Sequence, residues 1–60
     1  MKYNELHSLI RANGWELVRQ MGNSHVIYRK GSITDPVPDH GAKEVGKGLE
    51  LKIRKEMGLK

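Results

Sequence analysis

Three short stretches of alternating polar and apolar residues, joined by tight turns, lie between two amphipathic stretches in this sequence. They are "WELVRQM", "HVIYRK" and "SITDPV", at residues 15–21, 25–30 and 32–37. Alternation predicts strands, and links as short as "GNS" and "KGS" make neighbouring strands antiparallel. Pro36 cannot donate a hydrogen bond to a neighbour, so the third strand ends there or lies at a sheet edge. The sequence therefore predicts a three-stranded antiparallel sheet.

The stretch before the predicted sheet has the periodicity of a helix. The stripe of a helix with one buried side has offsets of 0, 3, 4 and 7, and these positions are occupied here by Leu6, Leu9, Ile10 and Asn13. This spacing predicts a helix over residues 4–13, with Asn4 as the N-cap. Gly14 suits a left-handed residue at the C-terminal end. His7 falls at a polar position and is expected to face solvent.

The last stretch, "LELKIRKEMGLK", predicts a second helix. Leu49, Ile53 and Met57 lie four residues apart, and Gly58 suits the end of the helix. The predicted order is α-β-β-β-α. We expect a two-layer α+β domain with both helices on one face of the sheet and the other face open. That order and layering resemble the double-stranded-RNA-binding fold.

The length and composition indicate one small domain, over residues 1–60. There is no cysteine, which excludes disulfides and thiolate metal sites and is typical of a reducing cytoplasm. No apolar run is long enough to cross a bilayer.

Trp15 is expected to be the largest anchor of the core. Strict alternation places Trp15, Leu17 and Arg19 on the same side of the first strand.

The charge balance indicates an anionic partner. Eleven Lys and Arg residues against seven Asp and Glu residues give a formal net charge of +4. On so small a body this excess attracts polyanions, of which nucleic acid is the commonest. No coiled-coil heptad pattern is present, and the sequence leaves self-association open.

Alternation in the second strand decides which side chains face solvent. If Val26 and Tyr28 point under the helices, then His25, Ile27 and Arg29 point to the open face. The opposite arrangement would bury the Arg29 cation, which costs more free energy. We therefore expect His25 on the open face.

Few kinds of catalytic chemistry are available to this chain. The histidines lack the spacing of a zinc site, no G-x-S-x-G elbow is present, and "VGKG" lacks the spacing of a phosphate-binding loop. A histidine beside cations remains. RNA carries a 2′-hydroxyl beside its phosphate, and a histidine that removes the hydroxyl proton allows cleavage without a metal. The alternative is that His25 is only a solvated turn histidine.

The order of several short motifs resembles the HicA family, the toxins of HicA–HicB toxin–antitoxin pairs. The motifs here are "NGWELVRQMGNSH", "VPDHGAKEV" and "LELKIRKEMGL", and the resemblance covers essentially all 60 residues. Two departures from the family pattern occur. Asn23 is inserted between Gly22 and Ser24 of the usual Gly-Ser-His, and Val26 stands where a second histidine is common.

The resemblance implies a ribosome-independent mRNA endonuclease with a double-stranded-RNA-binding-like fold. The histidine that the family needs for activity corresponds to His25. The resemblance also implies a HicB-type antitoxin that covers the catalytic region. No metal or cofactor is expected.

The sequence is compatible with two functions. The first is a metal-independent endoribonuclease toxin, with His25 as the proton carrier. The candidates for phosphate binding are, in falling order, Arg19, Arg29, Lys30 and Lys43. His40 and Lys43 are the candidates for a second proton-transfer group, although a structural role is favoured for His40. The second function is a non-catalytic double-stranded-RNA-binding module, in which "KGLELKIRK" is the RNA-binding segment.

Overall fold

The computed structural model describes residues 1–22 and 24–60. Its elements are helix α1 (Tyr3–Ala12), strands β1 (Glu16–Met21), β2 (His25–Lys30) and β3 (Ile33–Pro38), and helix α2 (Lys47–Met57). The predicted order α-β-β-β-α is therefore confirmed. Asn23, the residue inserted in the family motif, lies outside the described residues. Among the described residues, no helix is long and apolar enough to cross a membrane.

The three strands form one antiparallel sheet with β2 in the centre. Pro36 lies in β3, which is an edge strand and continues to Pro38. An edge strand tolerates proline because half of its N–H groups point away from the neighbouring strand. Of the two positions predicted for Pro36, the sheet edge is the observed one.

A bulge in β1 reverses the expected alternation of its side chains. Leu17 lies opposite Tyr28 and Arg19 lies opposite Ile27, so Val18 is an extra residue in β1. Residues directly opposite each other share a face of the sheet. The prediction that Leu17 and Arg19 lie on the same side was therefore wrong, because one inserted residue moves Arg19 to the other face.

Both helices cover the same face of the sheet. The buried core combines residues from α1, β2, β3, α2 and the connections, namely Tyr3, Leu6, Ile10, Trp15, Val26, Tyr28, Val37, Val45, Ile53 and Met57. Trp15 precedes β1 instead of starting it, and its Nε1–H donates to the Met57 carbonyl oxygen at 3.0 Å. The predictions of a two-layer domain and of Trp15 as a core anchor are confirmed.

His7 is buried, with 3% of its surface exposed, and the expectation that it faces solvent was wrong. The α1 helix begins at Tyr3 with Lys2 as the N-cap, so Asn4 is not the cap. The Glu5 carboxylate accepts a hydrogen bond from the Lys2 N–H at 2.8 Å. With this earlier start, the buried stripe of α1 consists of Tyr3, Leu6, His7 and Ile10.

The loop over residues 39–46 connects β3 to α2 and lies against the start of α1. The N–H groups of Tyr3 and Asn4 donate to the carbonyl oxygens of Lys43 and Gly41, each at 3.0 Å. These bonds satisfy N–H groups that have no partner within the helix. The Asp39 N–H donates to the Ser24 carbonyl oxygen at 2.7 Å. The loop is thus held against both α1 and the turn before β2.

Gly58 ends α2 in the left-handed conformation, with φ of 61°, as predicted. An added Cβ would meet no atom within 4 Å, so Gly58→Ala tests the backbone cost alone. We expect a loss of about 1 kcal/mol in the free energy of unfolding, measured by urea denaturation. The matched control is Gly48→Ala in the first turn of α2, where space is also open and φ is not positive. It should stabilise the protein by about 0.5 kcal/mol, and equal effects from both variants would contradict this account.

Candidate functional site

The face of the sheet that points away from the helices is open. The strand register assigns to it the side chains of Glu16, Arg19, Met21, His25, Ile27, Arg29, Thr34, Pro36 and Pro38. On the opposite face, Val26 and Tyr28 are buried beneath the helices, as predicted. The open face therefore presents two arginines, one carboxylate, several apolar groups and one histidine.

His25 is exposed at the start of the central strand. It lies opposite Met21 of β1 and opposite Pro38 of β3. The hydroxyl oxygen of Ser24 is 3.4 Å from the His25 Nδ1 atom. Since its ring is on the open face and solvent-accessible, a bound molecule can reach it.

A buried hydrogen-bond network holds the backbone opposite His25. The carbonyl oxygen of Pro38 lies 2.9 Å from the His7 Nε2 atom. A carbonyl can only accept, so Nε2 carries the proton and the Nδ1 atom accepts from the hydroxyl of Tyr28. The Arg11 Nη1 atom donates to the same hydroxyl oxygen at 3.4 Å. Burial raises the pKa of Tyr28, which keeps its hydroxyl a neutral donor.

The four predicted phosphate-binding residues lie at different distances from His25. Arg19 is its diagonal neighbour on the open face, at a separation of about 7 Å between Cβ atoms in sheets of this kind. Arg29 lies four residues along β2, which is about 13 Å at the usual strand rise. The Lys30 Nζ atom donates to the Asn13 carbonyl oxygen at 2.9 Å. Lys43 has an exposed side chain on the loop over residues 39–46.

Arg29 and Lys30 already have partners within the protein. The Arg29 Nη2 atom lies 3.6 Å from the Glu16 carboxylate, and both side chains are exposed. Such a surface pair is weak and is easily exchanged for a phosphate contact. Of the three cations on the sheet, Arg19 lies nearest to His25, and Arg29 and Lys30 lie toward the opposite end of β2.

His40 has an exposed side chain that contacts α1. Its ring centroid lies 4.9 Å from that of Tyr3, in an edge-to-face arrangement. This geometry is typical of a packing contact between rings. It agrees with the structural role favoured for His40 on the sequence.

A shallow depression surrounds His25 on the open face. It is lined by Met21, Gly22, His25, Ile27 and Pro36, which come from all three strands and the first turn. Apart from the imidazole, its lining is apolar. The alternation in β2 predicts that Ile27 lies on this face. Local periodicity does not predict that Met21 and Pro36 lie beside His25, because their proximity depends on the strand register. Within residues 1–22 and 24–60, no cluster of three or more His, Cys, Asp or Glu side chains is arranged to hold a metal ion.

Comparison with known proteins identifies the family. The family described as "HicA toxin of bacterial toxin-antitoxin" matches residues 3–59. A protein from Pseudomonas fluorescens (strain Pf0-1), named "Probable mRNA interferase HicA", is 42% identical over 60 residues, which cover 100% of this chain and 98% of that protein. No solved structure matches the chain significantly. With a family match over nearly its full length and the expected helix–sheet–helix order, the chain belongs to the HicA toxin family of bacterial toxin–antitoxin systems.

Proposed function

We propose that this chain is a cytoplasmic toxin, a single domain over residues 1–60, that cleaves messenger RNA without a metal ion. His25 acts as its proton carrier. The observation that carries the proposal is the exposed imidazole of His25 on the open face of a basic protein of this family. The name of the Pseudomonas fluorescens relative, an mRNA interferase, supports the same activity.

The proposed reaction uses the 2′-hydroxyl of the RNA itself. His25 removes the hydroxyl proton, the oxygen attacks the adjacent phosphorus, and the bond to the 5′-oxygen of the next nucleotide breaks. The products are a 2′,3′-cyclic phosphate and a 5′-hydroxyl end, with the departing 5′-oxygen taking up a proton. The proposed tautomer of His25 carries its proton on Nδ1, 3.4 Å from the Ser24 Oγ atom, which can accept it in a hydrogen bond. The Nε2 atom then has a free lone pair, as a general base requires.

The proposed cations stabilise the charge that develops on the phosphoryl oxygens. Arg19 suits the scissile phosphate because it is the diagonal neighbour of His25 on the open face. Lys43 suits it as well, because its loop is bonded to the turn before β2. Arg29 would contact a phosphate farther along the strand of RNA. Lys30 points to the helix-covered side of β2, where its Nζ donates to the Asn13 carbonyl oxygen, so it would contact only a phosphate that passes the edge of the sheet. This division assigns different roles to the four cations.

A HicB-type antitoxin is the proposed protein partner. An open, basic face around His25 suits a protein that carries acidic groups, and such a protein would also exclude RNA. We expect the product of the neighbouring gene to form a complex with this chain. Mixing the two purified proteins and measuring their elution by size-exclusion chromatography tests the expectation, which separate elution would contradict.

A non-catalytic RNA-binding module is the rival function. Its proposed RNA-binding segment, "KGLELKIRK", covers all of α2 except the last two residues. Two cations there are paired with glutamates, since Arg54 Nε lies 3.0 Å from Glu50 and Lys52 Nζ lies 4.0 Å from Glu56. These pairs lower the positive potential of the helix, so its attraction for RNA is weaker than the sequence of this RNA-binding segment suggests.

Incubation of the purified protein with end-labelled single-stranded RNA in excess EDTA separates the two functions. We expect cleavage that continues in the chelator and leaves 2′,3′-cyclic phosphate ends. A substrate with a 2′-deoxy nucleotide at the cleavage position is the control and should stay intact, because it lacks the attacking hydroxyl. A salt-sensitive mobility shift without cleavage would support the binding module instead.

A further inference from the structure

The geometry points to the depression beside His25 as a binding site for one unpaired nucleobase, that of the nucleotide whose 2′-hydroxyl is attacked. This inference rests on the proposed function and extends it to the way in which the substrate is held. The depression is lined by Met21, Gly22, Ile27 and Pro36 around the imidazole.

The surfaces of the depression suit the flat face of a base. The thioether of Met21, the branched side chain of Ile27 and the ring of Pro36 are apolar groups in adjacent positions of the sheet. Met21 is 48% exposed, so its side chain is available for contact. The faces of the bases are apolar and are alike in all four, so such a surface accepts a base without reading its edge.

The arrangement of charge favours RNA over a purely apolar partner. Arg19 lies opposite Ile27 on the same face, at the border of the depression. A base seated on Ile27 and Met21 therefore has a cation within reach of its phosphate and an imidazole within reach of its ribose. The net charge of +4 favours the same polyanion.

The proposed site makes cleavage depend on unpaired RNA. A base in a duplex is stacked on both faces and paired at its edge, so neither of its faces can contact the depression. A splayed base in a single strand can enter it. The contact also orients the ribose, which places the 2′-hydroxyl against His25.

The test measures binding separately from cleavage. A fluorescein-labelled oligonucleotide carries a 2′-deoxy nucleotide at the cleavage position, and its affinity for the protein is measured by anisotropy. The base at that position is present in one oligonucleotide and replaced by an abasic unit in a second. We expect removal of the base to weaken binding by about fivefold, toward the low end of what base contacts contribute elsewhere.

The protein variants are Met21→Ala and the matched control Leu51→Ala, an exposed apolar residue of α2 with 55% exposure. Met21→Ala should weaken binding of the oligonucleotide with the base and leave that of the abasic oligonucleotide unchanged. Leu51→Ala should bind both as the native protein does. Circular dichroism checks that each variant is folded.

Three outcomes would overturn the inference. One is equal affinity for the two oligonucleotides, and another is an equal loss of both affinities in Met21→Ala. The third is a Met21→Ala variant that loses only antitoxin binding, which would assign the depression to the protein partner. Base-dependent binding by a protein that cleaves no RNA would instead keep the depression as a nucleobase site and refute the proposed activity.

Discussion

His25→Ala is expected to lower the rate of RNA cleavage by about 10²- to 10⁴-fold, the contribution of a positioned general base. The variant has a methyl group in place of the imidazole, which is the only titratable group in the lining of the depression. No neighbour in that lining can therefore take over the proton transfer. The rate is measured under single-turnover conditions with end-labelled RNA in EDTA. In cells, expression of the native chain should arrest growth, and expression of the variant should not.

The stability of the variant distinguishes lost chemistry from lost folding. His25 is exposed, so its removal should change the free energy of unfolding by less than about 0.5 kcal/mol. His40→Ala, at another exposed histidine, is the matched variant and should keep cleaving RNA, because His40 packs on Tyr3. A loss of cleavage in folded His40→Ala would instead identify His40 as the second proton-transfer group. Full activity in folded His25→Ala would refute the role of His25.

His7→Phe is expected to reduce the free energy of unfolding by about 1–3 kcal/mol, because it keeps a ring but leaves one buried and one half-buried polar group without a partner. These groups are the Tyr28 hydroxyl hydrogen and the Pro38 carbonyl oxygen, which the His7 ring joins. A domain of this length has a total stability of only about 3–9 kcal/mol, so the loss is a large fraction of it. Urea denaturation, followed by the fluorescence of Trp15, measures the change.

A double variant provides the control for this prediction. Adding Tyr28→Phe to His7→Phe removes the stranded hydroxyl, so the double variant should be more stable than the sum of the two single losses implies. His25→Ala serves as the comparison for an exposed histidine. An unfolding midpoint in His7→Phe equal to that of the native chain would contradict the role assigned to the buried network.

Local periodicity was sufficient to predict the elements of this fold. The alternation in β2 correctly assigned Val26 and Tyr28 to the core and His25 to the open face. The stripe in α2 correctly predicted that Ile53 and Met57 are buried, and that Gly58 ends the helix. These predictions succeeded because each one depends only on neighbours within one or two turns, or within one strand.

The burial of His7 could have been found in the sequence. Tyr3, Leu6, His7 and Ile10 have offsets of 0, 3, 4 and 7, the same pattern that was read from Leu6 onward. A start at residue 4 excluded Tyr3 and hid this alternative. A buried histidine is stable here because the Pro38 carbonyl accepts from its ring and the Tyr28 hydroxyl donates to it. Both groups are distant in the chain, so no local pattern around His7 reveals them.

The amino-acid sequence by itself was enough to indicate the family of this protein. It was also enough to predict that one histidine is exposed at the start of the second strand. The surroundings of that histidine were decided by the tertiary structure. The bulge at Val18 sets which face Arg19 occupies, and the pairing of three strands brings Met21 and Pro36 to the same depression. These features arise from hydrogen bonds and packing between segments distant in the chain, whose free energies local periodicity does not encode.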